Sequence, residues 1–189
     1  MKKLSTVFAK VFEQLGIKCA FGISGGAILH FVDSLYHETS IKTIFSTNEM
    51  FSAFEADGVS RCSNSVGLCF ATSGPGMSNL ITGIATSYYD SVTTIVVTGQ
   101  VSSKRRNTGL NIKQYGFQEA ENCKMMESIS IYNATINKDN YKQIIQDICH
   151  LLQSKKQGPI HIEFPSLRTR RPVQRQEPLV RTASPSVSS

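Results

Sequence analysis

The sequence predicts an α/β protein built on an open parallel β-sheet with helices on both faces. Short, continuous apolar runs alternate along the chain with segments of helical periodicity. Strands buried on both faces read as such runs, whereas half-exposed strands alternate polar and apolar residues. Most of the runs also end in glycine or polar residues, as strand-to-helix turns require.

Leu4, Val7, Phe8, Val11, Phe12 and Leu15 share one helical face, and Gly16 stands where a C-terminal cap belongs. Ile17 to Ile23 reads as a buried strand. Gly25-Gly26 breaks the chain before a helix over Ala27 to Tyr36. A strand at Ile41–Ser46 leads through Asn48 into a helix from Glu49 to Arg61. Val66–Thr72 is a further buried strand. It enters Ser73-Gly74-Pro75-Gly76 and a helix from about Ser78 to Asp90. Thr93–Thr98 is a strand stopped by Gly99-Gln100. Val101 to Gly116 is polar, basic and loop-like, and a weaker helix is expected over Phe117 to Met126. A strand near Ser130–Ala134 precedes an amphipathic helix over Asp139–Gln153. Gly158-Pro159 then opens the strand Ile160–Phe164, in which Ile160, Ile162 and Phe164 point the same way. No internal repeat is present.

At 189 residues the chain suffices for one ordinary domain with its own core. We place that domain at residues 1–166. Residues 167–189, rich in Arg, Pro and Ser, lack periodicity and read as a linker or disordered tail. The net charge of +6 is concentrated in that tail and in Lys104-Arg105-Arg106. No stacking aromatics accompany the tail's arginines, so no nucleic-acid partner is expected. No apolar stretch has the length of a membrane span, and the basic start runs into polar residues before a signal-peptide core can form. The expectation is a cytoplasmic protein that engages no membrane. The five cysteines form neither a C-x-x-C pair nor ligand spacing with histidine, so they read as reduced thiols and no metal site is assigned.

Ligands of open parallel sheets sit at the carboxyl ends of the strands. Four segments fall there: 22–26, 47–50, 72–76 and 98–101. Spacing alone leaves open whether they are merely tight turns. Glu49 is sharper, a carboxyl beside apolar residues at the first turn of a helix, although acidic residues also favour helix starts for electrostatic reasons. No G-x-G-x-x-G or Walker loop follows a strand, which argues against a nucleotide-binding domain.

The motifs, taken together, resemble the pyrimidine-binding domain of the thiamine-diphosphate-dependent enzymes, most closely its acetolactate-synthase-like branch. The resemblance rests on Gly25-Gly26, on Asn48-Glu49, and on Ala56-Asp57-Gly58-Val59-Ser60-Arg61. It continues through Thr72-Ser73-Gly74-Pro75-Gly76-Met77-Ser78-Asn79, Asp90-Ser91, Thr98-Gly99-Gln100-Val101 and Phe117-Gln118-Glu119, closing with the strand before Pro165. It runs collinearly over roughly residues 4 to 166. It implies that Glu49 is the catalytic glutamate that hydrogen-bonds the pyrimidine ring nitrogen and switches the cofactor on. Gly25, Gly26, Thr72, Gly74 and Asn79 are implied to line the cofactor. Asn48, Gln100, Phe117 and Gln118 are implied at the substrate side. Thiamine diphosphate is the implied cofactor, and a small 2-keto acid the implied substrate of decarboxylation and carboligation.

Three departures stand out. Asn48 occupies the place of the family's usual histidine, and Ser24 that of a common proline. The loop carrying Lys104, Arg105, Arg106 and Lys113 is longer than in biosynthetic acetolactate synthases and resembles that of relatives in sugar pathways, which leaves the substrate open. The family's Gly-Asp-Gly…Asn-Asn motif for diphosphate and Mg²⁺ is absent from this chain. The resemblance therefore implies half a site, completed by a diphosphate-binding domain in cis or in trans, with Mg²⁺ entering only through that domain. The tail favours a longer protein, in which FAD is a further candidate cofactor. A homodimer or larger assembly is expected, with Met50, Phe51 and Phe54 as candidate interface residues. The competing reading is a non-catalytic homologue that acts as a dimerisation scaffold.

Overall fold

The computed structural model describes residues 3–106 and 109–166, so the expected linker at 167–189 lies outside the described residues. Among the described residues six α-helices and six strands alternate: α1 (Leu4–Gln14), β1 (Cys19–Gly22), α2 (Leu29–Glu38), β2 (Lys42–Phe45), α3 (Glu49–Cys62) and β3 (Gly67–Ala71). They continue as α4 (Pro75–Tyr89), β4 (Thr94–Gln100), α5 (Asn122–Met126), β5 (Tyr132–Thr135), α6 (Tyr141–Gln153) and β6 (Ile160–Pro165). The strands form one sheet in the order β2-β1-β3-β4-β6-β5. Every pairing is parallel. The expected α/β class is the one found.

Alternate residues of each central strand feed two separate cores. Ala20, Leu68, Phe70, Ile95, Val97, Ile160, Ile162 and Phe164 meet Phe8, Phe12, Phe31, Leu35, Ile144 and Ile148 of α1, α2 and α6. Phe21, Cys69, Ala71 and Val96 meet Ala53, Ala56, Met77, Leu80, Ile84 and Met126 of α3, α4 and α5. Each large side chain so buried contributes roughly 1.5–3 kcal/mol through apolar transfer, which makes the two cores the main source of stability. Phe8, Phe12, Phe31 and Phe164 pack as an aromatic cluster, with centroids 5.1–6.1 Å apart.

Most boundaries shift by a residue or two, and three of the differences have a clear local reason. Helix α4 starts at Pro75 rather than Ser78, because Gly74 adopts φ +63° and hands the chain to proline at the first helical position. Strand β4 continues through Gly99 and Gln100, which pair with Phe164 and Pro165. Gly99 permits this, since a Cβ there would stand 2.6 Å from the carbonyl carbon of Ala27. The weak helix expected over Phe117–Met126 shrinks to α5, because Gln118 takes φ +57° and interrupts it.

Strand order places a topological switch between β1 and β3. The connection after β1 runs toward β2, and the connection after β3 runs the other way toward β4. A crevice opens between two such diverging loops at the carboxyl edge of the sheet.

Candidate functional site

The crevice is walled by 23–28 after β1 and 72–74 after β3, and these two segments touch closely. A Cβ on Gly25 would come within 2.7 Å of Cβ and 2.8 Å of Oγ1 of Thr72. Glycine at 25 thus leaves room for the threonine of the opposite wall. At Gly76, in the first turn of α4, an added Cβ would meet Thr72 Cγ2 at 2.7 Å and Glu49 Oε1 at 3.2 Å. Thr72 and Glu49 therefore converge on one small space that glycines keep open.

Glu49 opens α3, whose N-terminus is capped by Asn48. The Asn48 side-chain oxygen accepts from the Met50 backbone N–H at 2.8 Å. Asn48 is also half-buried. The residue at the usual histidine position thus shapes the helix start that carries Glu49. The Glu49 carboxylate is half-buried and accepts from Asn79 Nδ2 at 3.0 Å through Oε2. Asn79 lies one turn into α4, so the amide ties Glu49 to the neighbouring helix and sets the direction of its second oxygen. Oε1 has no protein donor among the described residues. A carboxyl group held at one oxygen and open at the other, beside a glycine-lined space, suits a ligand with a planar ring and a basic nitrogen.

Next to Thr72 the crevice widens into a cleft of about 290 Å³, lined by Gly26, Ala27, Thr72, Ser73, Val101, Ser102, Arg105, Gly116, Phe117, Gln118 and Ser166. Gly26 is exposed, and a Cβ there would meet nothing within 4 Å, so steric room does not require glycine in this chain alone. Gly74 supports the cleft from below: a Cβ there would lie 2.9 Å from the Gln118 carbonyl oxygen, besides needing a positive φ. Phe117 is 82% exposed and stands at the cleft mouth.

Gln100 is placed elsewhere. It is fully buried, donates from Nε2 to Ala120 O at 2.7 Å and to Glu163 Oε1 at 2.9 Å, and accepts from Val101 N at 2.8 Å. Its amide is satisfied inside the protein and presents nothing to the cleft. The structure thus brings Glu49, Asn79, Thr72 and Gly25 together at one end. Gly26, Phe117 and Gln118 gather at the other, and Gln100 is set behind the wall.

Gln100 belongs to a buried polar network that sequence reasoning missed. Glu163 is wholly buried, accepting from Gln100 and from Thr135 Oγ1 at 2.7 Å and facing Arg106 Nη1 at 3.5 Å. Asn122 donates to Gly99 O at 3.0 Å. His161 bonds Thr98 Oγ1 at 2.8 Å through Nε2 and Asn133 Oδ1 at 2.6 Å through Nδ1. Asn133 donates from its amide nitrogen to Cys123 O, which fixes the amide orientation. Its oxygen therefore accepts from His161 Nδ1–H, and the neutral ring accepts from the Thr98 hydroxyl at Nε2. Burial without a charged partner pushes His161 down to about 3. The alternation of Ile160-His161-Ile162-Glu163-Phe164 hinted at a polar face, and the second helical layer buries it.

The motif residues Asp57, Arg61 and Asp90 form a clamp away from the cleft. Arg61 Nε donates to both Asp57 oxygens, at 2.6 and 3.0 Å, and Nη2 donates to Asp90 at 2.6 Å. Both bonds raise the Arg61 pKa further, so the charge is permanent. Among the described residues no group of three His, Cys, Asp or Glu side chains is placed to hold a metal ion. No helix there is long and apolar enough to cross a membrane.

A switch-point crevice with a helix-start glutamate and glycine-lined walls defines a cofactor-binding α/β module. The family described as "Thiamine pyrophosphate enzyme, N-terminal TPP binding domain" matches residues 2–125, and the chain belongs to that family. It is 37% identical over 157 residues to the probable acetolactate synthase large subunit of Methanocaldococcus jannaschii, covering 82% of this chain and 25% of that protein. Identity to the acetolactate synthase large subunit of Lactococcus lactis is 33% over 162 residues, covering 85% of this chain and 27% of that protein. For acetolactate synthase isozyme 1 large subunit of Escherichia coli K12 it is 34% over 154 residues, or 81% and 26%. The chain spans about a quarter of the length of these curated relatives.

Proposed function

We propose that the chain provides the aminopyrimidine-binding half of a thiamine-diphosphate enzyme that decarboxylates a 2-keto acid and joins the remaining fragment to an acceptor. The observation that carries this is Glu49: one oxygen tethered to Asn79, the other open onto the space kept free by Gly76. The residues fit the group. Glu49 would hold the pyrimidine ring nitrogen, Gly25 and Thr72, which pack closely together, would wall the ring, and Gly74, packed against Gln118, would shape the loop beside them. Gly26 lines the cleft beside them. When bound, thiamine diphosphate would supply the carbanion chemistry that keto-acid decarboxylation needs. The chain's own part is to orient the ring and to share a proton at Glu49.

Asn79 acts here as a positioning residue, because its amide aims the carboxylate. Phe117 and Gln118 contribute the substrate end of the cleft. Gln100 holds the wall through Glu163 and Ala120 and makes no direct contact with substrate. The diphosphate and its Mg²⁺ belong to a second domain, in cis or in trans, consistent with a match that spans a quarter of the relative's length. We assign residues 1–166 to the pyrimidine-binding domain. Association of two such units is part of the proposal, and Phe51 and Phe54, both well exposed on α3, are its candidate contacts.

The test assembles the chain with a diphosphate-binding domain of the acetolactate-synthase type and follows pyruvate consumption. Glu49→Gln is expected to lower turnover on the order of a hundred- to ten-thousandfold while the fold is preserved. Undiminished turnover in that variant rejects the proposal.

A further inference from the structure

Three consecutive cations follow β4, and the structure gives each a different fate. Arg106 faces the buried Glu163 carboxylate at 3.5 Å, so its charge is matched inside the protein. Lys104 is exposed and does not line the cleft. Arg105 lines the cleft with Ser73, Ser102 and Gln118, and no acidic side chain lines it. Among the described residues Arg105 has no carboxylate partner.

Its backbone is also fixed. The Arg105 N–H donates to Ser102 O at 2.7 Å, and a Cβ on Gly116 would stand 2.9 Å from Arg105 O. Glycine at 116 thus lets this turn lie flat against the returning chain, while the neighbouring Arg106–Glu163 pair ties it to β6. An unmatched guanidinium on a fixed turn, in a concave site free of acidic groups, concentrates anions.

We infer that Arg105 recognises an oxyanion group, carboxylate or phosphate, on the acceptor substrate, an inference that rests on the function proposed above. The acceptor is singled out by chemistry. A guanidinium held on the donor's carboxylate would stabilise the very charge that loss of CO₂ must remove. An acceptor's anionic group survives the reaction unchanged and gains from the contact throughout.

Two measurements test this. In the assembled enzyme, with pyruvate as donor, kcat/KM is compared for an anionic acceptor, 2-oxobutyrate, and a neutral one, propanal. Arg105→Gln is expected to lower the value for 2-oxobutyrate about tenfold to a hundredfold and to leave propanal nearly unchanged. Arg105→Lys recovers part of the loss, and Lys104→Gln changes neither. A variant merely damaged in structure would lose both acceptors equally, and that result, or no loss at all, overturns the inference. Separately, NMR titration of the 189-residue chain with pyruvate, and with inorganic phosphate, follows the amides of Gly26, Ser102 and Gln118 and the Arg105 side-chain N–H. Shifts lost in Arg105→Gln support the site, and the more effective anion identifies the oxyanion. No shift with either anion rejects it. If the assembled enzyme turns over nothing while the chain still binds an anion at Arg105, the functional proposal fails and the anion site stands.

Discussion

Three neighbours, none of them charged, place Glu49. Asn48 caps its helix, Asn79 takes one oxygen, and Gly76 clears space before the other. Gly76→Ala is therefore expected to act on the site directly, because its methyl group would press on both Thr72 and the glutamate. Overpacking of this kind costs about 1–3 kcal/mol, so we expect a modestly lower unfolding midpoint and a clear loss of thiamine diphosphate affinity by calorimetry on the assembled enzyme. His161 is informative at the same scale for a different reason. Its folded pKa, about 3, lies below the unfolded value near 6.5, so the unfolded chain binds the extra proton first as pH falls. The contribution is intact above pH 6.5 and is lost progressively from there toward pH 3. By pH 5 about 2 kcal/mol of it has been lost. Urea unfolding at pH 7, 6 and 5 should show this slope in the wild type and a flatter profile in His161→Gln. Equal slopes would show that the ring stays solvated.

Helix α3 is held to α4 by close packing at one point and by charge at another. Gly83 lets the helices approach, since a Cβ there would stand 2.5 Å from that of Ala53. Arg61 then joins Asp57 of α3 to Asp90 at the end of α4. Asp57 is nearly buried while Arg61 is about two-fifths exposed, so solvent screens part of the pair. Asp57→Ala is expected to destabilise by about 1–3 kcal/mol, read as a shift in the urea midpoint with an unchanged slope. Most elements were legible in the sequence because their apolar runs are buried on both faces, as in Val96-Val97 and Leu68-Cys69-Phe70. Where reading failed, backbone conformation decided. The positive φ of Gly74 advances α4, and that of Gln118 confines the helix expected over Phe117–Met126 to α5. Neither leaves a mark in hydrophobic periodicity.

At the scale of the whole molecule, large apolar side chains are exposed both at the cleft and on α3. Phe117 is largely exposed, and Phe51 and Phe54 on α3 are 49% and 40% exposed. Exposed aromatics in this number fit a surface completed by another unit. Phe51→Asp combined with Phe54→Asp is expected to leave the thermal midpoint of the chain within a few degrees while abolishing association, measured by sedimentation. A collapse of the fold instead would assign both rings to the core. The site was legible to unequal degrees. Glu49, Thr72 and Gly25 are singled out through the family resemblance, and the fold sets Thr72 close to both Gly25 and the space beside Glu49. Gln100 is singled out through the same resemblance, yet its amide turns inward. The reason is Glu163, a residue 63 positions later whose burial only the assembled sheet reveals. The central claim concerns a proton, and its most direct measurement is hydrogen–deuterium exchange at C2 of thiamine diphosphate bound to the assembled enzyme. Exchange in Glu49→Gln should be slower by on the order of a hundredfold or more. Equal rates in variant and wild type, with cofactor bound in both, would contradict the account.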